Sequence, residues 1–529
     1  MMKPSETVPQ ASGAPSFAAV SQRVASNPIG SASLSALTPP FAKSRKGWGT
    51  QCVSMALGLA LLSGCNVGPK YVKPVVPTYQ APEAFVDAYK ESDPNWKPAN
   101  PADDAVRGDW WAIFNDPVLS DLEAKAAIQN QTLKAYQARF DEARAQIAID
   151  KSAQRPTLST SSSVTGDRYS AGRPYFNAPN PNNGVADVVL PLTLNYEVDL
   201  WGRIRHIVAQ GKEEAQATAA DRDNAQLSVQ AELAIDYFEL RSADAQGQLL
   251  ANTVKAYQEA LRITTNRFEG GVVNESDVFQ ARTQLQAAIV QQSDIVVQRA
   301  QYEHAIAVLI GQPPNSFSLK QAPLPAGPPT IPAALPSQLL ERRPDIAAAE
   351  RRANAANEQI GIARAAYFPT LNLSLSGGLE AGALANFFSV GNLAYLIGPT
   401  VAQTFYDGGR RRGLSDQAIA SFDEQSATYK QTVLTGFQQV EDNLVALRIL
   451  EQEAEQQRQA TEAAQGAERI FNNRYLGGLD TYLQVVTAQQ TALANERNGI
   501  DIERRRMDAS VLLVKALGGG WSTANLPKL

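Results

Sequence analysis

The chain has 529 residues, of which 44% are hydrophobic and 19% charged, with a formal net charge of −5. No basic surplus points to nucleic acid, and no apolar run reaches the roughly 20 residues of a membrane-spanning helix. Soluble and outer-membrane classes both stay open at this level.

The strongest apolar run is Val53 to Leu62, preceded by Lys43, Arg45 and Lys46 and closed by Leu62-Ser63-Gly64-Cys65. It reads as a secretion leader over 1–64 that ends in a lipobox, with Cys65 as the lipid-attachment residue. A diacylglyceryl group on the thiol and an acyl chain on the freed amine would anchor the protein without a spanning helix. Each buried methylene contributes about 0.8 kcal/mol. Cys52 falls within the leader, so the mature chain keeps Cys65 alone and forms no internal disulfide. The next residue is Asn66 rather than the aspartate that retains lipoproteins at the inner membrane, which favours outer-membrane sorting. The stretch before Lys43 is longer than a leader needs, and a start codon placed too early accounts for it most simply.

Residues 65–118 form the anchor and a Pro-rich segment. Trp110-Trp111, Phe114, Asp116-Pro117 and Leu119 then lead into a helix expected to end near Gln154, where Pro156 stops it. From Val188 to Glu197 the pattern has period two: Val188, Leu190, Leu192, Leu194 and Tyr196 share one face, Thr193, Asn195 and Glu197 the other. Pro191 suits a strand edge or a bulge. The expected partner strand is Leu158 to Val164, across a loop holding Asn177, Pro179 and Gly184.

Arg203 to Phe268 is rich in Ala, Gln, Glu and Leu and free of proline, which predicts a single rod of roughly 100 Å. Leu233, Tyr237 and Leu240 form one apolar stripe; Leu227, Ala231, Ile235 and Phe238 lie on another face. Two stripes require neighbours on both sides, as in a ring or sheet of helices.

The unit then repeats. Gly202-Arg203 corresponds to Gly409-Arg410, Asn266-Arg267-Phe268-Glu269-Gly270-Gly271 to Asn473-Arg474-Tyr475-Leu476-Gly477-Gly478, and Leu309-Ile310-Gly311 to Ala516-Leu517-Gly518. One offset of roughly 207 residues serves all three, the signature of a tandem duplication. Leu371, Leu373 and Leu375 alternate with Asn372, Ser374 and Ser376, and a strand is expected from Leu393 to Phe405. Each copy is thus helix, hairpin, long helix, shorter helix, over 119–312 and 341–518, with a Pro-rich linker at 313–340 and a tail at 519–529. Four strands with one apolar face match bilayer-spanning length, but an open sheet cannot lie in lipid. Closure takes eight strands or more, supplied by two or three copies of the chain.

In this order, the lipobox with Gly68-Pro69-Lys70-Tyr71, the Trp110-Trp111 block, Arg343-Pro344-Asp345-Ile346, Tyr367-Phe368-Pro369-Thr370-Leu371 and the two Arg-aromatic-x-Gly-Gly turns resemble the outer-membrane factors of tripartite efflux systems. The likeness is to the TolC and OprM type, and within it to the NodT lipoprotein branch. It implies a mainly α fold with a β-barrel portion: a homotrimer with a twelve-stranded outer-membrane barrel on a long periplasmic α-helical barrel. Implied partners are outer-membrane lipid, a periplasmic adaptor and an inner-membrane pump of the resistance-nodulation-division (RND) class. The implied role is a passive exit channel for drugs or other small molecules. A channel for type I protein secretion and a lipid-anchored scaffold without a pore remain as alternatives.

By the same resemblance adaptors would dock on small and apolar tip residues, here Gly270, Gly271, Val272, Gly477, Gly478 and Leu479. Asp277, Arg474, Tyr475 and Asp480 stand where related channels hold their gate closed. Many relatives carry an aspartate in a Leu-Asp-Ala-Gln context, where this chain has Val486-Thr487-Ala488-Gln489. Thr487 thus replaces a carboxylate at the constriction, and Asp480, nearer the tip, becomes the candidate acidic ring. No enzyme is expected. The glycine pairs lack the Lys-Ser/Thr of a phosphate loop. His206 and His304 have no His or Cys partner at ligand spacing and read as helix surface or tunnel lining. No cofactor is expected beyond the lipid on Cys65.

Overall fold

The computed structural model describes residues 66–76, 108–168, 185–325, 327–329 and 342–529. The leader with Cys65, the loop around Asn177 and Gly184, and linker residues 330–341 lie outside them. The described helices and strands all belong to the unit that begins at Leu61.

Two short helices open the fold, α1 (Pro117–Gln129) and α2 (Gln131–Ser152). The sequence predicts one helix here, and the structure corrects this at Asn130. Its side chain accepts from the Leu133 amide at 3.0 Å, capping α2, and donates to the Leu309 carbonyl at 2.8 Å. That amide is spent on a cap and a tertiary tie, and the axis turns there.

The sheet comprises β1 (Thr157–Thr160), β2 (Ser163–Asp167), β3 (Val185–Val198), β4 (Thr370–Ala381) and β5 (Leu393–Ala402). Both β1 and β2 pair with β3, which pairs with β4, which pairs with β5, all antiparallel. Pro191 is therefore on an interior strand and not at an edge. The break between β1 and β2 falls opposite it, with the same register on both sides (Thr160↔Leu192, Ser163↔Val189). A residue without an N–H costs the ladder a rung there, and no bulge is needed. Across the other side Gly378 is obligatory, since a Cβ would sit 2.1 Å from the Leu190 carbonyl oxygen.

Four helices carry the rest. α3 (Arg203–Glu269) and α6 (Arg410–Leu476) have 67 residues each, about 100 Å at 1.5 Å per residue. α4 (Glu275–Leu309) and α7 (Tyr482–Ala516) have 35 each. A fifth, α5 (Pro344–Ala365), leads into β4. Each long helix starts on an aspartate: Asp199 accepts from the Ile204 and Arg205 amides, Asp407 from those of Gly409 and Arg411. Each ends in a Schellman turn. The Val272 amide donates to the Arg267 carbonyl and that of Gly271 to Phe268; Leu479 and Gly478 repeat this onto Arg474 and Tyr475. Gly271 and Gly478 supply the positive φ, 72° and 74°.

Next to the sheet the helices lie in the row α2, α3, α5, α6; farther away the row is α4, α3, α7, α6. Both predicted stripes of α3 are used. Leu233, Tyr237, Leu240, Leu227, Ala231 and Phe238 all enter one core with Trp110, Leu119 and Leu122 on one side and Met507, Val511 and Val514 of α7 on the other.

Candidate functional site

Paired residues of an antiparallel sheet share a face, so the registers sort every side chain. On one face lie Leu158, Val188, Leu190, Leu192, Leu194, Tyr196, Leu371, Leu373, Leu375, Leu379, Leu393, Tyr395, Ile397 and Val401. The other carries Ser159, Thr193, Asn195, Glu197, Asn372, Ser374, Ser376 and Thr400. The polar face is knitted within itself: Thr193 and Ser376 hydroxyls are 3.2 Å apart, and Ser374 donates to Asn195 at 3.1 Å. At the sheet-to-helix junction Trp201 stacks on Phe368 at 4.6 Å, and its indole donates to the Pro369 carbonyl at 2.7 Å. Phe405 and Tyr406 stand exposed beside them. An apolar band ending in an aromatic girdle is what a barrel exterior needs at the headgroup level, and a polar interior face suits a water-filled lumen.

The strap 66–76 runs antiparallel to α5. Val76 packs near Ile346, Lys73 pairs with Glu350 at 2.7 Å, and the Asn357 amide donates to the Pro69 carbonyl. At its upper end Asn66 Oδ1 meets His206 Nε2 in the first turns of α3, while His206 Nδ1 meets Glu358. His206 is buried, which corrects its reading as helix surface or lining; His304 is exposed on α4. Gly68 and Gly361 clasp the imidazole so closely that a Cβ on either would lie within 2.7 Å of it. The catch therefore fixes Asn66, the first described residue of the strap, beside the first turns of α3.

At the opposite end the two Gly-Gly turns come together. Tyr475 is buried against Tyr482, Ala281, Val485 and Val486, with the two tyrosine rings 5.3 Å apart. Burial, then Tyr475, Tyr257 and the charge of Asp277, push the Tyr482 hydroxyl up to about 12. Arg267 lies over the Tyr475 ring at 4.6 Å, and Arg474 pairs with Asp480 at 2.5 Å. Thr487, exposed, donates to the Leu483 carbonyl of its own helix. Val272 and Leu479 project into solvent beside Gly270, Gly271, Gly477 and Gly478. Arg267 and the His206 catch were not singled out from sequence. The signal for Arg267 was its repetition as Arg474; His206 gave none, because its partners are 140 and 152 residues away.

The family described as outer membrane efflux protein matches residues 122–312 and 335–519. The chain belongs to that family. The antibiotic efflux pump outer membrane protein ArpC of Pseudomonas putida is 31% identical over 474 residues, 89% of this chain and 95% of ArpC. The toluene efflux pump outer membrane protein TtgC, also of Pseudomonas putida, matches with the same identity and coverage. Among solved structures, the outer-membrane channel OprN superposes with a TM-score of 0.79 at 27% identity, covering 86% of this chain and all of OprN. VceC of Vibrio cholerae gives 0.72 at 27%, covering 77% of this chain and 98% of VceC. This efflux protein is accordingly a component of the outer membrane that reaches into the periplasm, from a family of transport channels rather than of enzymes.

Proposed function

We propose that the chain is the exit duct of a tripartite efflux assembly. Three copies close a twelve-stranded barrel in lipid above a helical tunnel, and the duct passes small amphiphiles passively from an RND-class inner-membrane pump through a periplasmic adaptor. The observation that carries this reading is a two-faced sheet left open at β1/β2 and at β5, joined to helix rows that end on α2 and α4 at one side and on α6 at the other. An open sheet with an apolar face is untenable in lipid, and the same rotation closes sheet and rows together. The antibiotic and toluene pumps named for the relatives favour small-molecule cargo.

Within this reading 65–118 carries the lipid anchor on Cys65, 119–312 and 341–518 are the two efflux repeats, and 313–340 links them. Gly270, Gly271, Val272, Gly477, Gly478 and Leu479 meet the adaptor, while Asp277, Arg474, Tyr475, Asp480 and Thr487 belong to the closed end. The test is cross-linking in native membranes together with planar-bilayer recording of purified protein. A ladder ending at three subunits and a stable conductance are expected. A ladder ending at two, or protein that never conducts, overturns the proposal.

A further inference from the structure

Across the boundary between its two copies the chain meets itself through polar and charged groups. Arg504 of α7 donates to Glu239 of α3 at 2.5 Å, and Arg497 of α7 to Gln291 of α4 at 3.1 Å. The offset that carries Arg203 to Arg410 also carries Glu239 to Ala446 on α6. Taken backwards, it carries Arg504 to Val297 and Arg497 to Val290, both on α4. Gln291 corresponds to Asn498 of α7 and stays polar, whereas the counterparts of the ionic Arg504–Glu239 contact, at the two ends of the lower row, are apolar.

They are also bare. Val290 and Val297 are 60% and 57% exposed, and on α6 Val445 and Ile449 are 40% and 45% exposed. Phe238, the first-copy counterpart of Val445, is fully buried in the core that α7 helps to close. Leu227 is buried there too, while its second-copy counterpart Leu434 is exposed. The α6 face thus keeps the apolar residues of a packed surface and lacks its cover.

We propose that the face of α4 bearing Val290 and Val297 covers the face of α6 bearing Val445, Ala446 and Ile449 of a second copy of this chain, in the register that Arg504 and Glu239 set within one chain. The tunnel wall then alternates between an ionic seam inside each chain and an apolar seam between chains. This rests on the homo-oligomeric reading above and adds the residues and their register. The chemistry fits the order of events. An ion pair formed between separate chains strips water from two charges at the moment of association, whereas an apolar seam gains from that same loss of water. Inside one chain the charged partners are never apart for long, and there the pair fixes register.

The experiment is a disulfide test on the full chain in its membrane. Outside the leader, Cys65 is the only native cysteine, and because an Arg–Glu contact holds its Cα atoms farther apart than the roughly 4.4–6.8 Å of a direct disulfide, the introduced thiols are joined with a short bis-methanethiosulfonate reagent. Val297→Cys/Ala446→Cys should give covalent oligomers on a non-reducing gel that collapse to monomer with reductant, and neither single variant should. Glu239→Cys/Arg504→Cys should close within one chain and run as monomer, which checks folding and register. A closed control beside an open 297/446 pair overturns the seam. If amine cross-linking of that same preparation still yields trimers, the homo-oligomeric reading survives; if it yields no oligomer, both fall. In a second arm Val297→Glu should lower the yield of oligomer at least tenfold, and Val297→Arg/Ala446→Glu, which installs the in-chain pair, should recover only part of it, since a paired charge costs less than a lone one but more than an apolar contact. Unchanged yield in Val297→Glu also overturns the seam.

Discussion

Arg267 ties the two repeats together at the end far from the sheet: its guanidinium lies 4.6 Å from the centre of the Tyr475 ring and donates to the Tyr475 carbonyl at 3.0 Å. Arg474, its counterpart, turns instead to Asp480 in its own turn, through Nε at 2.5 Å and Nη2 at 3.3 Å. The difference lies in one residue, for the first-copy counterpart of Asp480 is Val273. Only the second copy can hold its arginine at home.

This changes what an acidic ring means here. Asp480 arrives already paired, so a trimer of this chain would carry charge pairs at that end rather than bare carboxylates. Asp480→Asn should leave Arg474 unbalanced and lower cation selectivity. Thr487→Asp, which adds a carboxylate at an exposed position with no such partner, should raise it. Reversal potentials in a salt gradient measure both. Equal values in wild type and Asp480→Asn would remove Asp480 from the conducting path.

Glu123 is fully buried in α1 beside Leu122 and Ala126, and neither carboxylate oxygen finds a hydrogen-bond partner. Burial pushes its pKa up to about 9, against 4.5 for the free group. Between those values the folded chain holds a proton that the unfolded chain has lost, so the contribution is complete below pH 4.5 and drains away as pH rises toward 9. The slope is at most about 1.4 kcal/mol per pH unit. Glu123→Met, close in volume, should flatten the fall in thermal stability from pH 5 to 9 and raise stability at pH 8 by about 1–3 kcal/mol. A variant as pH-sensitive as the parent would mean that another group carries the dependence.

Leu192 sits on the apolar face of β3, opposite Gly377, and is 52% exposed in the single chain. If that face meets lipid, Leu192→Arg costs about 2–4 kcal/mol at mid-bilayer depth. Membrane-inserted protein should fall severalfold, while Thr193→Arg on the lumen side should assemble and alter conductance. The reverse pattern would mean that the faces are exchanged.

Much of this fold was legible because its signals are long and local. Proline-free, alanine-rich runs predicted α3 and α6, and the repeated Gly-Gly turns marked their ends. Alternation at Leu371, Leu373 and Leu375 predicted β4 with its polar face. What sequence could not carry is what depends on distant partners. The helix break at Asn130 needs Leu309, the tolerance of Pro191 within the sheet needs the gap at 161–162, and the burial of His206 needs Asn66 and Glu358. The Arg474–Asp480 pair was close in sequence, but nothing in the spacing chose it over a partner on a neighbouring helix.

The strap offers the remaining prediction. Its upper end is held by one imidazole between Asn66 and Glu358, in a niche shaped by two glycines; its lower end is held by Lys73 on Glu350 and by the Tyr429 ring, 5.8 Å from the ammonium. His206→Ala empties the niche and leaves Glu358 without this partner, a loss of about 1–3 kcal/mol for a buried polar group. The upper strap should then detach, and trypsin should cut at the exposed Lys70 at least tenfold faster than in the parent. Cys65→Ser tests the same strap from its other end. It should abolish palmitate labelling yet leave the trypsin pattern unchanged, because the catch is made by protein side chains and not by lipid. Labelling that persists would place the acyl chain elsewhere, and a Lys70 equally resistant in parent and His206→Ala would show that the catch does not hold the strap.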